Sequence, residues 1–370
     1  MSKIRVLYDA TLAGNPAGTG TYVRGLLAAL QRRSDLILAT AAMDSASVES
    51  LDQGRKPAAS RVVNSVRHLA YYLHRLPRQA RATRSDLIFC PSSLVPLRGE
   101  TPFAMTVYDL TARRYPQTLD TFSRVYSAAM LRRGLRRARA VCAISEAVAG
   151  EIAAEPDRAG QPIRVAYPGP NPDLLLARPE PIAIEGPPFL LMVGTLEPRK
   201  NQVAALRAFA GFRAAHPDSE LRLVLAGSPG WRYGDVLQTI ERLRLERHVR
   251  RVGSVSVGQL KWLYQHARAL LFPSLYEGFG LPVLEAFALR CPVVAADILP
   301  VREITGPDTA TLLDPQAVPQ WTEAIERVAS GPPEAAVVES AFARAGSFTW
   351  DRCAAAAIEA MLDAAPGAVA

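Results

Sequence analysis

The sequence predicts an α/β protein of two domains, each built on a doubly wound parallel sheet. Its 370 residues exceed what one hydrophobic core usually supports. Short apolar runs alternate with segments of helical periodicity in both halves, which is the pattern expected of repeated strand–helix units. A stretch rich in proline and glycine, residues 168–188, separates the halves. We therefore expect a first domain over residues 1–170, a linker over 171–187, a second domain over 188–348 and a closing helix over 349–370.

The cysteines and the apolar runs indicate a cytoplasmic protein. The four cysteines show neither metal-ligand nor disulfide spacing, which predicts free thiols in a reducing compartment. The N-terminus runs directly into an apolar strand without a signal-peptide pattern. No apolar run approaches the roughly 20 residues that span a bilayer.

Positive charge is concentrated in the first half of the chain. Residues 1–180 contain 25 Lys and Arg and 15 Asp and Glu, which gives a net charge of +10. The remaining residues contain 18 Lys and Arg and 20 Asp and Glu, a net charge of −2, so the whole chain carries +8. Such a basic half suits an anionic membrane surface, a lipid-diphosphate acceptor or a nucleic acid.

One stretch in the second half carries the strongest functional signal. The apolar run Ala269–Phe272 predicts a buried strand, and the turn after it contains Gly278 and Gly280. A helix is expected to begin at Leu281, with Pro282 in its first turn. A glycine turn leading into a helix N-terminus favours a bound phosphate.

Two glutamates frame this predicted phosphate site. Glu277 precedes the helix and Glu285 lies about one turn inside it. A carboxylate beside a phosphate is unfavourable unless it binds something else, and sugar hydroxyls suit it because a carboxylate accepts several hydrogen bonds. An ordinary strand–turn–helix junction with two surface glutamates is the plainer alternative.

The string Ser-Leu-Tyr-Glu-Gly-Phe-Gly-Leu-Pro-Val-Leu-Glu-Ala resembles the signature of the retaining glycosyltransferases of family 4. The resemblance implies the GT-B fold, in which two Rossmann-like domains face each other across a cleft, and a nucleotide-sugar donor. It implies that Glu277 contacts the donor sugar and Glu285 the ribose. Phe279, Gly280 and Leu281 belong to the same implied donor site.

A second motif supports the same interpretation. Arg199 and Lys200 follow the predicted strand Phe189–Val193, where they would form a cationic clamp for a leaving diphosphate. The string Gly-Thr-Leu-Glu-Pro-Arg-Lys-Asn resembles the donor-phosphate motif of the family, although a solvated surface pair is the alternative. The segment around Val255 resembles the one whose backbone holds the nucleobase.

The first half offers weaker candidates. Gly18 and Gly20 follow the first strand and match the family's N-terminal loop, which approaches the donor phosphates and the acceptor. Tyr108 stands where many related enzymes have an active-centre histidine, and tyrosine is a poor base at neutral pH. Asp109 is therefore the better candidate for acceptor-side chemistry, with a turn or helix cap as its alternative role. Ser145 is expected to cap a helix near the cleft.

The segment from Arg61 to Leu76 predicts an amphipathic helix with basic residues around an apolar face. Tyr71 and Tyr72 lie alongside, which would suit a helix that binds a lipid monolayer. The alternative is a helix that covers the sheet, with its arginines in solvent.

Together these features predict a metal-independent hexosyltransferase with no cofactor beyond its nucleotide-sugar co-substrate. GDP-mannose is the favoured donor, and UDP-glucose, UDP-N-acetylglucosamine and dTDP-rhamnose remain open. The expected acceptor is a saccharide or a lipid-diphosphate-linked saccharide of surface polysaccharide synthesis, reached through peripheral contact with the membrane. A sugar-nucleotide 2-epimerase shares the fold, and a basic nucleic-acid-binding module would explain the charge, but no nucleic-acid motif is recognisable.

Overall fold

A computed structural model describes residues 3–43, 67–119, 121–184 and 188–365, apart from the side chain of Phe122. The chain forms two compact units. The first comprises Met1–Gly169 together with Phe348–Ala370, and the second comprises Pro170–Ser347. The expected two-domain α/β architecture is confirmed, with one six-stranded parallel sheet in each unit.

The first unit is a parallel sheet in the order β2-β1-β3-β4-β5-β6. Its strands are β1 Ile4–Asp9, β2 Leu36–Ala41, β3 Leu87–Cys90, β4 Phe103–Val107, β5 Ala140–Ala143 and β6 Ile163–Val165. Its α-helices are α1 Gly18–Gln31, α2 Leu76–Ala82, α3 Thr111–Arg114, α4 Thr121–Arg137, α5 Glu146–Ala153 and α14 Trp350–Ala364. Short 3-10 turns span Thr11–Gly14 and Pro116–Thr118. All residues of β3, β4 and β5 are buried, as expected for central parallel strands with helices on both faces.

The last helix, α14, packs against α1 and the sheet of the first unit. Trp350 fills the space left by two glycines: a Cβ on Gly25 would lie 2.3 Å from its ring, and one on Gly169 would lie 2.8 Å away. Arg164 in β6 donates to Asp363 of α14 at 2.8 Å. The C-terminal segment, expected to pack toward the N-terminal domain, therefore lies in the first unit.

The helix before β3 differs from the sequence expectation. Residues 67–70 are α-helical, Tyr71–Arg75 form a π-helical turn, and α2 follows. Tyr71 and Tyr72 are buried, while Leu69 is 46% exposed. Burial of both rings contradicts the interfacial alternative and agrees with the other one, a helix that covers the sheet with its arginines in solvent. Residues 61–66 lie outside the described part of the chain.

The second unit is a parallel sheet in the order β12-β11-β10-β7-β8-β9. Its strands are β7 Phe189–Val193, β8 Arg222–Ala226, β9 Val249–Gly253, β10 Ala269–Phe272, β11 Val293–Ala296 and β12 Thr311–Leu313. Its α-helices are α6 Pro172–Leu176, α7 Gln202–Ala215, α8 Gly234–Arg242, α9 Val257–His266, α10 Leu281–Ala288, α11 Leu299–Thr305, α12 Val318–Ser330 and α13 Ala335–Ala345. A 3-10 turn spans Pro198–Lys200. Apolar side chains of β7, β8 and β10 form its core with α7 and α12.

The segment expected to be a linker has a defined structure. Part of it is α6, and Lys261 of α9 donates to the carbonyl oxygens of Leu175 and Ala177. The backbone N–H of Glu180 donates to the carbonyl of Gly258 at 3.0 Å. Residues 171–184 therefore belong to the second unit. The sequence did not predict these contacts, because they are made by backbone groups of the segment and leave no pattern in its side chains.

All four cysteines, Cys90, Cys142, Cys291 and Cys353, are buried free thiols, as the sequence predicted. Within the described ranges, no helix is long and apolar enough to cross a membrane.

Candidate active site

The sheet order of the second unit brings the two strongest sequence motifs together. Strands β7 and β10 are hydrogen-bonded neighbours and parallel, so their carboxyl ends lie at the same edge of the sheet. Arg199 and Lys200 follow β7, and Glu277 follows β10. Ligands of open α/β sheets bind at this edge.

Glu277 lies between the two cations. Lys200 Nζ donates to its Oε1 at 2.6 Å, and Arg199 Nη1 donates to its Oε2 at 3.1 Å. The residue is 8% exposed. Burial alone would raise the pKa of this carboxyl, but the charges of Lys200 and Arg199 outweigh burial and lower the pKa of Glu277 to about 2. Glu277 is therefore ionised at neutral pH.

Arg199 joins the loops that follow β7 and β10. Besides Glu277, its guanidinium donates to Glu197 Oε1 at 2.7 Å and to the carbonyl of Tyr276 at 2.9 Å. Its own carbonyl accepts from the backbone N–H of Leu275 at 2.8 Å. A guanidinium group that donates to three partners is held in one orientation. The carboxylates of Glu197 and Glu277 thus balance the charges of Arg199 and Lys200.

The backbone of both loops supports this arrangement. Asn201 adopts a left-handed conformation with φ of 55°, and its side-chain amide donates to the carbonyls of Pro273 and Pro315 at 3.1 and 2.8 Å. Gly280, with φ of 127°, precedes α10 and provides no capping side chain. The start of α10 at Leu281 therefore carries the positive end of a helix dipole without a side-chain cap.

Glu285 lies on α10 and is 7% exposed. Tyr264 of α9 donates its hydroxyl proton to Glu285 Oε2 at 3.0 Å. Burial raises the pKa of Glu285 to about 7, although the hydrogen bond from Tyr264 acts in the opposite direction. The two glutamates of the motif thus differ sharply: one is a fixed anion and the other titrates near neutrality.

Two further donor-site candidates, Val255 and Phe279, belong to the second unit. Val255 is partly buried in the loop after β9, and the neighbouring Ser254 hydroxyl lies 2.7 Å from that of Ser228 after β8. Phe279 is 3% exposed, so its ring packs in the interior of the unit.

In the first unit, Gly18 begins α1 and Gly20 lies in its first turn. A Cβ on Gly20 would lie 1.8 Å from the carbonyl oxygen of Asn15, so only glycine permits this close turn. Arg24 also donates to that carbonyl at 3.2 Å and to the carbonyl of Ala13 at 2.7 Å. The loop is therefore held in one shape by its own helix.

Tyr108, Asp109 and Ser145 each make a local structural contact. The Tyr108 hydroxyl donates to the carbonyl of Pro91, and burial raises the pKa of Tyr108. Asp109 Oδ1 accepts from the backbone N–H of Thr111 at 2.8 Å. Ser145 caps α5, as expected, by accepting from the N–H of Val148 at 3.1 Å. A general-base role for Asp109 stays a prediction.

Sequence reasoning missed a buried polar cluster at the end of β1. Asp9 is 3% exposed and accepts from the hydroxyls of Thr11, Tyr71 and Tyr72 at 2.6, 3.2 and 2.9 Å. An acidic residue that ends an apolar strand was the available signal. The tyrosines fix the π-helical turn to the sheet.

No group of three His, Cys, Asp or Glu side chains suited to a metal ion occurs in the part of the chain that the structure describes.

Two family models match the chain. Glycosyltransferase Family 4 matches residues 16–174, and Glycosyl transferases group 1 matches residues 177–342. One model therefore lies mostly in each unit.

Proteins with similar sequences include enzymes of O-antigen synthesis. O-antigen chain mannosyltransferase B of Escherichia coli is 33% identical over 175 residues, which is 46% of this chain and 45% of that protein. O-antigen chain mannosyltransferase RfbU of Salmonella typhimurium is 28% identical over 232 residues, which is 63% and 61% of the two chains. The matched segments thus span about half of the length of these relatives.

Solved structures with the same fold align over nearly the whole chain. Sucrose-phosphate synthase from Thermosynechococcus elongatus has a TM-score of 0.72 at 18% identity and covers 96% of this chain and 98% of its own. Anabaena HepE in complex with UDP and glucose has a TM-score of 0.67 at 18% identity, with coverage of 97% and 99%. At these identities the similarity establishes the GT-B fold alone.

Proposed function

The chain belongs to the glycosyltransferases of family 4, and from this premise we propose that it transfers a hexose from a nucleotide sugar with retention of anomeric configuration. The observation that carries the proposal is the contact of Glu277 with Lys200 and Arg199 beside the uncapped start of α10. Cations and a helix N-terminus suit a diphosphate, and the carboxylate suits sugar hydroxyls.

The donor diphosphate would compete with Glu277 for the two cations. In their present contacts, Lys200 and Arg199 neutralise the Glu277 carboxylate. A diphosphate at the start of α10 offers them more negative charge, and Glu277 could then accept hydrogen bonds from the donor sugar. Binding of the donor would thereby place the carboxylate on the reacting sugar.

In the transfer step, the bond between sugar C1 and the diphosphate oxygen breaks, and the acceptor hydroxyl oxygen bonds to C1 from the same face. The acceptor proton passes to the leaving diphosphate, so the step requires no covalent enzyme intermediate. Lys200, Arg199 and the α10 dipole stabilise the charge that develops on the leaving group.

We propose GDP-mannose as the donor because the similar O-antigen enzymes of Escherichia coli and Salmonella typhimurium are mannosyltransferases. Saturation-transfer measurements with labelled GDP-mannose, UDP-glucose, UDP-N-acetylglucosamine and dTDP-rhamnose test this assignment. We expect transfer of saturation to GDP-mannose. Preferential binding of another of these nucleotide sugars would identify that one as the donor. If the protein binds none of the four, the proposed transferase function is refuted.

The same cations lead us to propose a reaction that requires no metal ion. Lys200, Arg199 and the α10 dipole supply the positive charge that a divalent ion gives the leaving diphosphate in other transferases. Transfer should therefore continue at an unchanged rate in excess EDTA. Loss of activity with the chelator and recovery with Mg²⁺ or Mn²⁺ would contradict this.

For the acceptor we propose a saccharide, free or linked to a lipid diphosphate, bound by the first unit at the inner face of the membrane. Support comes from the balance of +10 up to Glu180 and from the exposed arginines of residues 67–84. Basic side chains attract both an anionic lipid surface and a diphosphate.

A further inference from the structure

Trp231 differs from the other tryptophans of the chain. Its side chain is 48% exposed, whereas Trp321 and Trp350 are 1% and 9% exposed. Trp262, the fourth, stacks between Phe189 and a histidine ring. Within the described residues, the indole of Trp231 has neither a hydrogen-bond partner nor an aromatic partner. A large apolar ring left in water at a ligand-binding edge suggests a surface that a ligand covers.

The loop that carries Trp231 is braced on two sides. On one side, the N–H of Leu196 donates to the carbonyl of Ser228 at 2.9 Å, and the N–H of Gly230 donates back to the carbonyl of Leu196 at 3.0 Å. On the other side, the hydroxyls of Ser228 and Ser254 lie 2.7 Å apart. The loop after β8 is thus tied to the loop that leads to Lys200 and to the loop that contains Val255.

The backbone at Trp231 is also held in place. Arg232, the next residue, has φ of 55°, a left-handed conformation that is uncommon for arginine. Its guanidinium donates to Asp235 in α8 at 3.0 Å. Gly230 packs closely against the loop after β7, since a Cβ on Gly230 would lie 2.5 Å from Thr195 Cγ2. The indole is therefore presented from a fixed turn.

The sheet order places Trp231 between two expected parts of the donor site. Along the carboxyl edge, β7 leads to the diphosphate clamp at Lys200, β8 leads to Trp231, and β9 leads to Val255 beside the nucleobase. The donor sugar is expected at Glu277 after β10, on the far side of β7. Trp231 is consequently closer in the sheet order to the base than to the sugar.

We propose that the indole of Trp231 stacks on the base of the nucleoside diphosphate. This inference rests on the proposed function, because it assumes that a nucleotide occupies this edge. Stacking suits the site because the face of a base covers apolar ring surface without requiring a hydrogen bond from the indole.

The test is a fluorescence and calorimetric titration of the full chain with GDP and UDP, with mannose and mannose 1-phosphate as ligands that lack a base. Nucleoside diphosphates should quench tryptophan emission, and the sugars should not. The quench should disappear in Trp231→Phe, which keeps a ring for stacking and most of the affinity. It should persist in Trp262→Phe, the matched control.

Trp231→Ala should weaken calorimetric binding of the better nucleotide about tenfold, which corresponds to about 1.4 kcal/mol. Affinity equal to that of the original chain, or quenching by mannose in place of nucleotides, would overturn the stacking assignment while leaving the proposed transferase intact. Failure of the original chain to bind any nucleotide would overturn both proposals. If Trp231→Ala does not fold, the comparison of the original chain with Trp231→Phe still decides whether the ring senses the base.

Discussion

At the scale of single residues, the charge balance around Glu277 makes Lys200 the most informative side chain. It is 15% exposed and donates to Glu277 at 2.6 Å, so its removal leaves a buried carboxylate with one cation fewer. Lys200→Ala should lower kcat roughly a hundredfold, as loss of one preorganised charge stabiliser typically does.

Steady-state kinetics with a saturating donor would measure this effect, and circular dichroism would confirm folding. Lys261→Ala, which removes a lysine of the same unit from the α6 contact, is the matched control and should keep its turnover. A fully active, normally folded Lys200→Ala variant would remove Lys200 from the diphosphate clamp.

The two glutamates of the motif should respond differently to the same isosteric change. Glu277→Gln removes the anion expected to contact the reacting sugar and should reduce kcat strongly. Glu285→Gln removes the ribose contact and should act mainly on the donor KM. The kcat and KM of both variants, measured at one pH, give the comparison. If the two changes lower kcat equally, or in the reverse order, the sugar has been placed at the wrong carboxylate.

At the scale of elements, the contact between α9 and α10 predicts a pH dependence of donor binding. Tyr264 is the α9 donor to Glu285, whose pKa is raised to about 7. Ribose hydroxyls donate hydrogen bonds to a carboxylate, so the donor KM should fall as pH rises through about 7. Tyr264→Phe removes the hydrogen bond that lowers the pKa and should move this transition to higher pH, whereas Glu285→Gln should abolish it.

Donor KM values measured from pH 5.5 to pH 9 would test this dependence. The raised pKa of Glu285 also makes the free energy of unfolding depend on pH. Because the pKa in the folded state exceeds the usual 4.5, the folded state binds the Glu285 proton more tightly than the unfolded chain does. The stabilising contribution is complete below about pH 4.5 and is lost as pH rises through about 7. A donor KM with the same pH profile in the original chain and in Tyr264→Phe would contradict the account.

At the scale of the whole molecule, the unequal charge of the two halves predicts reversible binding to anionic membranes. Arg67, Arg75 and Arg78 are exposed on the helical segment before β3. A basic residue near an anionic surface contributes about 1 kcal/mol, screened beyond about 8 Å at physiological salt. Reversing all three to Glu should weaken liposome binding about a hundredfold, and binding of the original chain should weaken as salt rises.

Sedimentation with phosphatidylserine-containing liposomes would measure this binding. The full chain is required because α14 belongs to the first unit. Reversal of Arg242, Arg247 and Arg327, which are exposed in the second unit, is the matched control and should bind as the original chain does. A soluble acceptor without membrane contact predicts no binding even at low salt.

The sequence by itself determined the bounds of the two strands that lead into the donor-site motifs. The apolar runs at Phe189–Val193 and Ala269–Phe272 are strands with the predicted bounds, because a buried parallel strand is a local signal bounded by polar residues, proline or glycine. The helix start at Leu281 was equally local, since Gly280 and Pro282 set the backbone there.

Only the tertiary structure decided which side chains meet. Lys200 and Glu277 are 77 positions apart, and they touch because β7 pairs with β10, an order that no local pattern specifies. The sequence left Tyr71 and Tyr72 either at a membrane interface or against the sheet, and their hydrogen bonds to Asp9, more than 60 positions away, place them in the core. Helical periodicity reports how polar each face is, whereas the partner of a face depends on the order in which the strands assemble.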